Sequence, residues 1–373
     1  MRYKNFPVVD AHIHIHTNES PSSRVEFFRN EEIVNEIFEK TNDEAITLVA
    51  TGFARDYKFG KSGPVNLPET VVGYYLKDKM PQKIYLFGAL SRNYHKPELN
   101  TTELLLEQAK FRYAAGCDGF KSLDGHLNTY RAVGARLSDP VTELYFDYLE
   151  KNRIPINIHC ANPVDVFEEK SIMYVGKDRV EEVAMTYKDI RADVEELLTK
   201  FPKLTLILPH FYFLSRDLEQ VEAIFNRWEN VYFDMTPNIF MYYDFNRYSD
   251  DFLRDFFRRN AHRLLYGTDT FIEEGIRPIP IQVEVVRDFF EKEHSPFLSE
   301  MGIRTLPMDD DFLKKMYYEN FVKLVGPQPR KVNRSMALEE CTHLLESYGA
   351  YLSEQDLDYV TRIQQYFQNE GEI

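Results

Sequence analysis

Cysteine is nearly absent from this chain of 373 residues, with three in all: Cys117, Cys160 and Cys341. An odd, widely spaced set argues against a disulfide framework and against a cysteine zinc knuckle. Positive charge is also in short supply. Lys and Arg number 45 against 60 Asp and Glu, a formal net charge of −15. No basic patch stands out, which disfavours nucleic acid as a partner. No apolar run approaches the ~20 residues of a membrane helix. The first residues lack the basic lead and apolar core of a signal peptide. The expectation is a cytoplasmic protein that takes a small molecule, not nucleic acid or a membrane. What the chain has in quantity is apolar: 43% hydrophobic residues, including 28 Phe and 24 Tyr. That is enough to bury a sizeable core, and core packing is the expectation for most of the aromatics.

Short apolar runs alternate with helix-like stretches. Strands are expected from Val8, then over 44–50, 83–90, 117–123, 154–159, 204–210, 231–235 and 263–269. Helices are expected near 30–40, 101–115, 141–152, 190–201, 218–228 and 250–261. This rhythm predicts an α/β fold, a parallel (β/α)8 TIM barrel, with a doubly wound open sheet as the alternative. Residues 51–82 break the rhythm and suggest an insertion or a lid. From Asp309 the chain reads helical, over 312–325, 336–348 and 354–368, with Pro327 and Pro329 as breakers. The expected division is a barrel over 1–330 and a helical extension over 331–373, packed on the barrel or at a subunit contact.

The first strand, Val8-Val9-Asp10-Ala11-His12-Ile13-His14-Ile15-His16, carries histidines at period two. Side chains two apart on a strand share a face, so His12 and His14 point one way and Ile13 and Ile15 the other. Two imidazoles side by side form half of a metal site. Further polar residues close other apolar runs: His159 after strand five, His210 after strand six, Asp269 after strand eight. In a barrel those ends meet at the face where active sites are built. Lys121 lies on strand four. Arg55 follows strand two and is weighed equally as a carboxylate clamp or a surface arginine. Asp234 is placed to support a ligand histidine. Cys160, next to His159, is expected to point away as a small buried filler. His16 is expected in a solvated loop, and His126 could reach the site from the loop after strand four.

Together, Asp10-Ala11-His12-Ile13-His14, Ile154-Pro155-Ile156-Asn157-Ile158-His159, Leu206-Ile207-Leu208-Pro209-His210, Asn230-Val231-Tyr232-Phe233-Asp234, Leu265-Tyr266-Gly267-Thr268-Asp269 and Tyr318-Glu319-Asn320-Phe321 resemble the amidohydrolase superfamily over roughly residues 7–326. The branch they resemble includes aminocarboxymuconate-semialdehyde decarboxylase. The resemblance implies one divalent metal ion, zinc as the first choice, held by His12, His14, His159 and Asp269. It implies His210 and Asp269 as acid/base groups. Lys121 would hold an anionic substrate or pair with a carboxylate, the alternative being a carboxylated lysine between two metals. The expected activity is hydrolysis of a C–N or C–O bond of a small, carboxylated or aromatic molecule through a metal-activated water. The alternatives are a decarboxylase or hydratase, a metal-independent lactonase, and a non-enzymatic ligand- or metal-binding barrel. A homodimer is expected from the branch and from the extra C-terminal helices.

Overall fold

The structure is a computed structural model and describes residues 3–15, 29–50, 68–92, 100–125, 130, 134–160, 186–237, 239–272 and 279–369. Among these, nine parallel strands form one sheet. They are β1 (Val9–Ile15), β2 (Ala45–Val49), β3 (Ile84–Gly88), β4 (Gly119–Gly125), β5 (Ile156–Cys160), β6 (Leu206–Leu208), β7 (Val231–Asp234), β8 (Leu264–Leu265) and β9 (Thr270–Ile272). Their order is β8-β7-β6-β5-β4-β3-β2-β1-β9. A doubly wound sheet reverses its order at a switch point; this sheet has none, and that alternative falls. Its two end strands, β8 and β9, are four residues apart in the chain, and the Ala11 N–H donates to the Tyr266 carbonyl between them (3.0 Å). The architecture is TIM-barrel-like.

Strand parity decides what faces inward. Ile13, Ile15, Ile46, Leu48, Ile84 and Leu86 face outward into one buried cluster, and Phe120, Ile156, Ile158, Leu206, Leu208 and Phe233 into another. Their alternates Val9, Ala11, Ala45, Tyr85, Ile207, Tyr232 and Leu265 meet inside. β1 should then bring Ile13 and Ile15 inward after Val9 and Ala11. It does not, because its register against β2 slips between Asp10 and Ile13: Asp10 pairs with Ile46, yet Ile13 pairs with Leu48. Ala11 and His12 thus share the place opposite Thr47, a β-bulge. The surplus residue changes parity, so Val9 and Ala11 face inward below it and His12 and His14 above it.

Several elements differ from the sequence reading. Residues 69–79, expected within an irregular insertion, form a helix, Glu69–Lys79, in which nine of eleven residues are buried. Uniform burial erases the helical period in hydropathy. Lys77 within it is neutralised by Asp118 and donates to the Gly116 carbonyl (2.7 Å). A further helix, Ile279–Glu291, was not foreseen. The helix expected over 312–325 is interrupted by a wider turn at Lys315–Glu319. The sixth strand stops at Leu208, two residues before His210, and the eighth is divided by residues 266–269. Thr101 caps the Thr102–Ala115 helix, its side chain accepting from Leu104 N (3.2 Å), and Gly116 ends it with a left-handed φ of 119°.

The helices Arg334–Tyr348 and Glu354–Asn369 pack with the Glu69–Lys79 helix. Ala337, Cys341, Leu344, Tyr359, Val360 and Ile363 share a buried cluster with Val71, Val72 and Leu76. Arg112 ties the first of these helices to the sheet's outer layer by an ion pair with Glu340 (2.7 Å), both buried. No helix among the described residues is long and apolar enough to cross a membrane.

Candidate metal and active site

The inward side chains change character above the bulge. His12, fully buried, and His14, 8% exposed, bring their Nε2 atoms to 3.1 Å. Asp269 Oδ1 stands 3.1 Å from His14 Nε2 and 3.7 Å from His12 Nε2. Asp269 reaches this point from a left-handed backbone (φ 57°), with its N–H donating to the His12 carbonyl (2.9 Å). Gly267 makes the approach possible: a Cβ there would lie 2.7 Å from Thr236 Cγ2 and 3.2 Å from His12 Cβ. Among the described residues these three are the group of His, Cys, Asp or Glu whose donor atoms lie within 4.8 Å of one another.

Asp234 at the end of β7 orients two imidazoles, one with each oxygen. His12 Nδ1–H donates to Asp234 Oδ2 (2.9 Å), leaving the His12 Nε2 lone pair turned to the site. On the other oxygen, the Thr236 hydroxyl donates to Asp234 Oδ1 (2.5 Å). That hydroxyl has no second proton, so its 3.0 Å contact with His210 Nδ1 is one in which the imidazole donates. His210 Nε2 is then the acceptor side of the ring. The His210 backbone N–H also donates to Asp234 Oδ1 (2.9 Å). Burial, aided by Lys121 beside it, lowers the His12 pKa to about 3, which keeps the ring neutral. Burial of Asp234 works to raise its pKa, but His12, His210 and the Thr236 hydroxyl together outweigh it and hold the carboxyl well below the usual range.

Lys121 is buried on the inner face of β4. Its Nζ lies 3.1 Å from His12 Nε2 and donates to Asn157 Oδ1 (2.8 Å), and Asn157 Nδ2 in turn reaches Asp234 Oδ2 (3.4 Å). Burial lowers the Lys121 pKa to about 8, and Asp234 and Asp269 oppose that shift. His159, on the inner face of β5, has its ring 5.2 Å from that of His210, and the His210 ring is 5.9 Å from that of His12. Cys160 is buried in the outer cluster, as expected for a filler. Arg55, His16 and His126 lie outside the described residues.

Two aromatic rings stand against the site imidazoles. Phe271 stacks on His14 (centroids 4.9 Å, 14° between planes) and Phe213 on His210 (5.3 Å, 27°). Phe213 arrives by an unusual route. His210, Phe211, Tyr212 and Phe213 are four successive non-glycine residues with φ between 52° and 55°. The left-handed region costs a residue with a Cβ about 1–2 kcal/mol, so this turn holds several kcal/mol of conformational strain. Neither it nor the roles of Thr236 and Asn157 were foreseen. Phe-Tyr-Phe has no glycine to announce a left-handed turn, and a Thr or Asn near a strand end carries no signal until its partner is known.

The chemistry of this donor set suits a divalent cation. Two imidazole nitrogens and a carboxylate oxygen converge at 3.1–3.7 Å. One proton could bridge a single pair of them, whereas a metal ion serves all three.

In comparison with known proteins, a family model described as Amidohydrolase matches residues 88–326, more than half of the chain. No curated protein matches it in sequence. Similar folds occur among solved structures. An uncharacterized TIM-barrel protein from Bordetella bronchiseptica has a TM-score of 0.55 at 15% identity, over 86% of this chain and 99% of that one. A dihydroxybenzoic acid decarboxylase from Polaromonas sp. JS666, with bound manganese and the inhibitor 2-nitroresorcinol, has a TM-score of 0.53 at 13% identity, over 86% and 97%. A 4-oxalomesaconate hydratase from Rhodopseudomonas palustris has a TM-score of 0.51 at 11% identity, over 86% and 96%. At these identities the likeness is one of fold. The matched family model, spanning β4 to β9 and the helices after them as far as residue 326, makes this chain a member of the amidohydrolase family.

Proposed function

We propose that this protein is a metal-dependent enzyme that removes the carboxyl group of a small, planar, aromatic or conjugated acid. The observation that carries this reading is the His12–His14–Asp269 donor group with the Lys121 amine beside it and aromatic rings on His14 and His210. We read residues 264–272 as one interrupted eighth strand closing a (β/α)8 barrel, and 331–373 as an extension packed on it. The ligands are His12, His14 and Asp269, with His159 as the fourth. Nitrogen and oxygen donors of this kind suit zinc, with manganese as its competitor. Such an ion, held by these residues, would supply Lewis acidity to the site.

The protein's own groups do the rest. Lys121 Nζ donates a charge-assisted hydrogen bond to the substrate carboxylate. The flat faces of Phe213 and Phe271 receive the planar part of the substrate and keep water away. Loss of CO2 breaks a C–C bond and leaves its electron pair on carbon. His210, once Nε2 has taken up a proton, delivers it to that carbon, and the Thr236–Asp234 chain at Nδ1 fixes the ring while it does so. Hydrolysis of a C–N or C–O bond is the second reading. It is favoured by Asp269, whose carboxylate borders the site and can take a proton from water. The decisive assay follows CO2 release from 2,6-dihydroxybenzoate and related acids, beside a panel of esters and amides, with metal-loaded and chelator-treated protein. Chelator-sensitive CO2 release is expected. Turnover of esters or amides alone selects the second reading, and full activity after metal removal overturns both.

A further inference from the structure

The turn from His210 to Phe213 poses a question that packing answers for only part of it. Phe211 is fully buried and meets Phe233, Phe245, Phe256 and Phe257 edge to face. Tyr212 is buried under the Arg191 guanidinium, 5.4 Å from its ring centroid, and against Phe233. Both side chains are held by the outer layer. Phe213 is different. It is only half-buried, and its ring lies against two site histidines, His210 at 5.3 Å and His159 at 5.7 Å. A glycine at this position would adopt φ 53° without strain. The chain instead carries a large aromatic side chain there and turns it onto the pair of imidazoles.

We propose that Phe213 is a specificity-determining residue: the wall that shields His210 from solvent and sets the width of the pocket beside it. The left-handed run is the device that aims it. Phe211 and Tyr212 pin the turn from outside, so residue 213 leaves it pointed inward. His210 is 7% exposed with this ring over it. Water kept off His210 leaves its Nε2 to the substrate, and a ring at fixed height admits one planar ring and rejects a wider one.

Because this builds on the aromatic-acid reading, the test has one arm that needs no substrate. Diethyl pyrocarbonate acylates accessible imidazoles, and peptide mass spectrometry reads the rate at His210 against the exposed His343 as reference. Phe213→Gly and Phe213→Asn, both tolerant of the left-handed region, are expected to raise the His210 rate about tenfold by removing the shield. Phe213→Tyr keeps the ring and is expected to keep wild-type protection. The melting temperature of Phe213→Gly is expected to match or exceed that of wild type. In the second arm, the affinity ratio of 1-hydroxy-2-naphthoate over 2,6-dihydroxybenzoate is expected to rise about tenfold in Phe213→Gly. A His210 rate unchanged in both open variants overturns the shield, and an unchanged ratio overturns the control of width. A melting temperature several degrees lower would mark Phe213 as core and also overturn it. If neither acid binds the wild type while the His210 rate rises, the aromatic-acid reading fails and the shield stands.

Discussion

Below the bulge in β1, the strands fill the inside of the curled sheet with Val9, Ala11, Ala45, Tyr85, Ile207, Tyr232 and Leu265, packed against Phe321. Above it, strands of the same sheet and the turns that follow them present His12, His14, Lys121, Asn157, His159, Asp234, His210 and Asp269. The lower layer has few polar groups to satisfy and is held mainly by apolar contact: Phe321 meets Tyr85 edge to face at 4.8 Å, and the Tyr85 hydroxyl is satisfied by donating to the Gly326 carbonyl (2.9 Å). The upper layer is a hydrogen-bonded circuit in which Lys121, Asn157, Asp234 and His12 each touch the next. One layer confers stability and the other reactivity, and the division should be visible when each is damaged.

The largest effect is expected at the top. His14→Ala removes one of three converging donors and should weaken divalent-metal binding by about a hundredfold or more, read by metal analysis after dialysis. The metal-free variant should melt within a few degrees of metal-free wild type. Next comes the bottom. Phe321→Ala opens a cavity beneath the apolar layer and should cost about 3–5 kcal/mol in denaturant unfolding, with metal affinity within about threefold of wild type because the damage is remote. If Phe321→Ala abolished metal binding, or His14→Ala unfolded the protein, the two layers would not be separable.

The smallest effect concerns a buried pair of carboxyls beside β1 and β2. Asp43, just before β2, is buried, and burial lifts its pKa from the ordinary 3.8 to about 7. Asp10 is likewise raised, by burial and then by Asp43, although Thr268 and the His12 N–H donate to it. Arg287 acts in the opposite direction on Asp43. Since the folded state holds this proton more tightly than the unfolded chain, the associated stability is complete below about pH 4. It drains away as pH climbs through 7. Asn at position 43 cannot ionise. Asp43→Asn should therefore gain on wild type between about pH 5 and pH 8.5, by an amount on the order of 2 kcal/mol, in unfolding titrations at the two pH values. A constant difference would show that Asp43 ionises normally.

The strands and the site's outline were readable from the chain because continuous apolar runs mark strands buried on both faces, and polar residues at their far ends mark the mouth. His12, His14, His159, His210 and Asp269 were singled out on that ground; among the described residues His12, His14 and Asp269 converge, with Lys121 and the His210 ring beside His12, while His159 lies outside that donor group with its ring against His210. What escaped lacks a period. The Glu69–Lys79 helix is buried nearly all round, so its hydropathy never oscillates. The turn at 210–213 defies the usual preference of such residues for negative φ. Asn157 and Thr236 matter through whom they touch, and those contacts join residues 36 and 26 positions apart in the chain.

The extra residue in β1 has a consequence for how a site of this kind can vary. Since Ala11 and His12 share one rung of the ladder, the direction of the metal-facing pair is uncoupled from the packing of the residues before it. Substitutions among Val9, Ala11 and their neighbours can retune the plug while the imidazoles keep their aim. A change in strand length by a single residue, however conservative its chemistry, would send both imidazoles out among the helices.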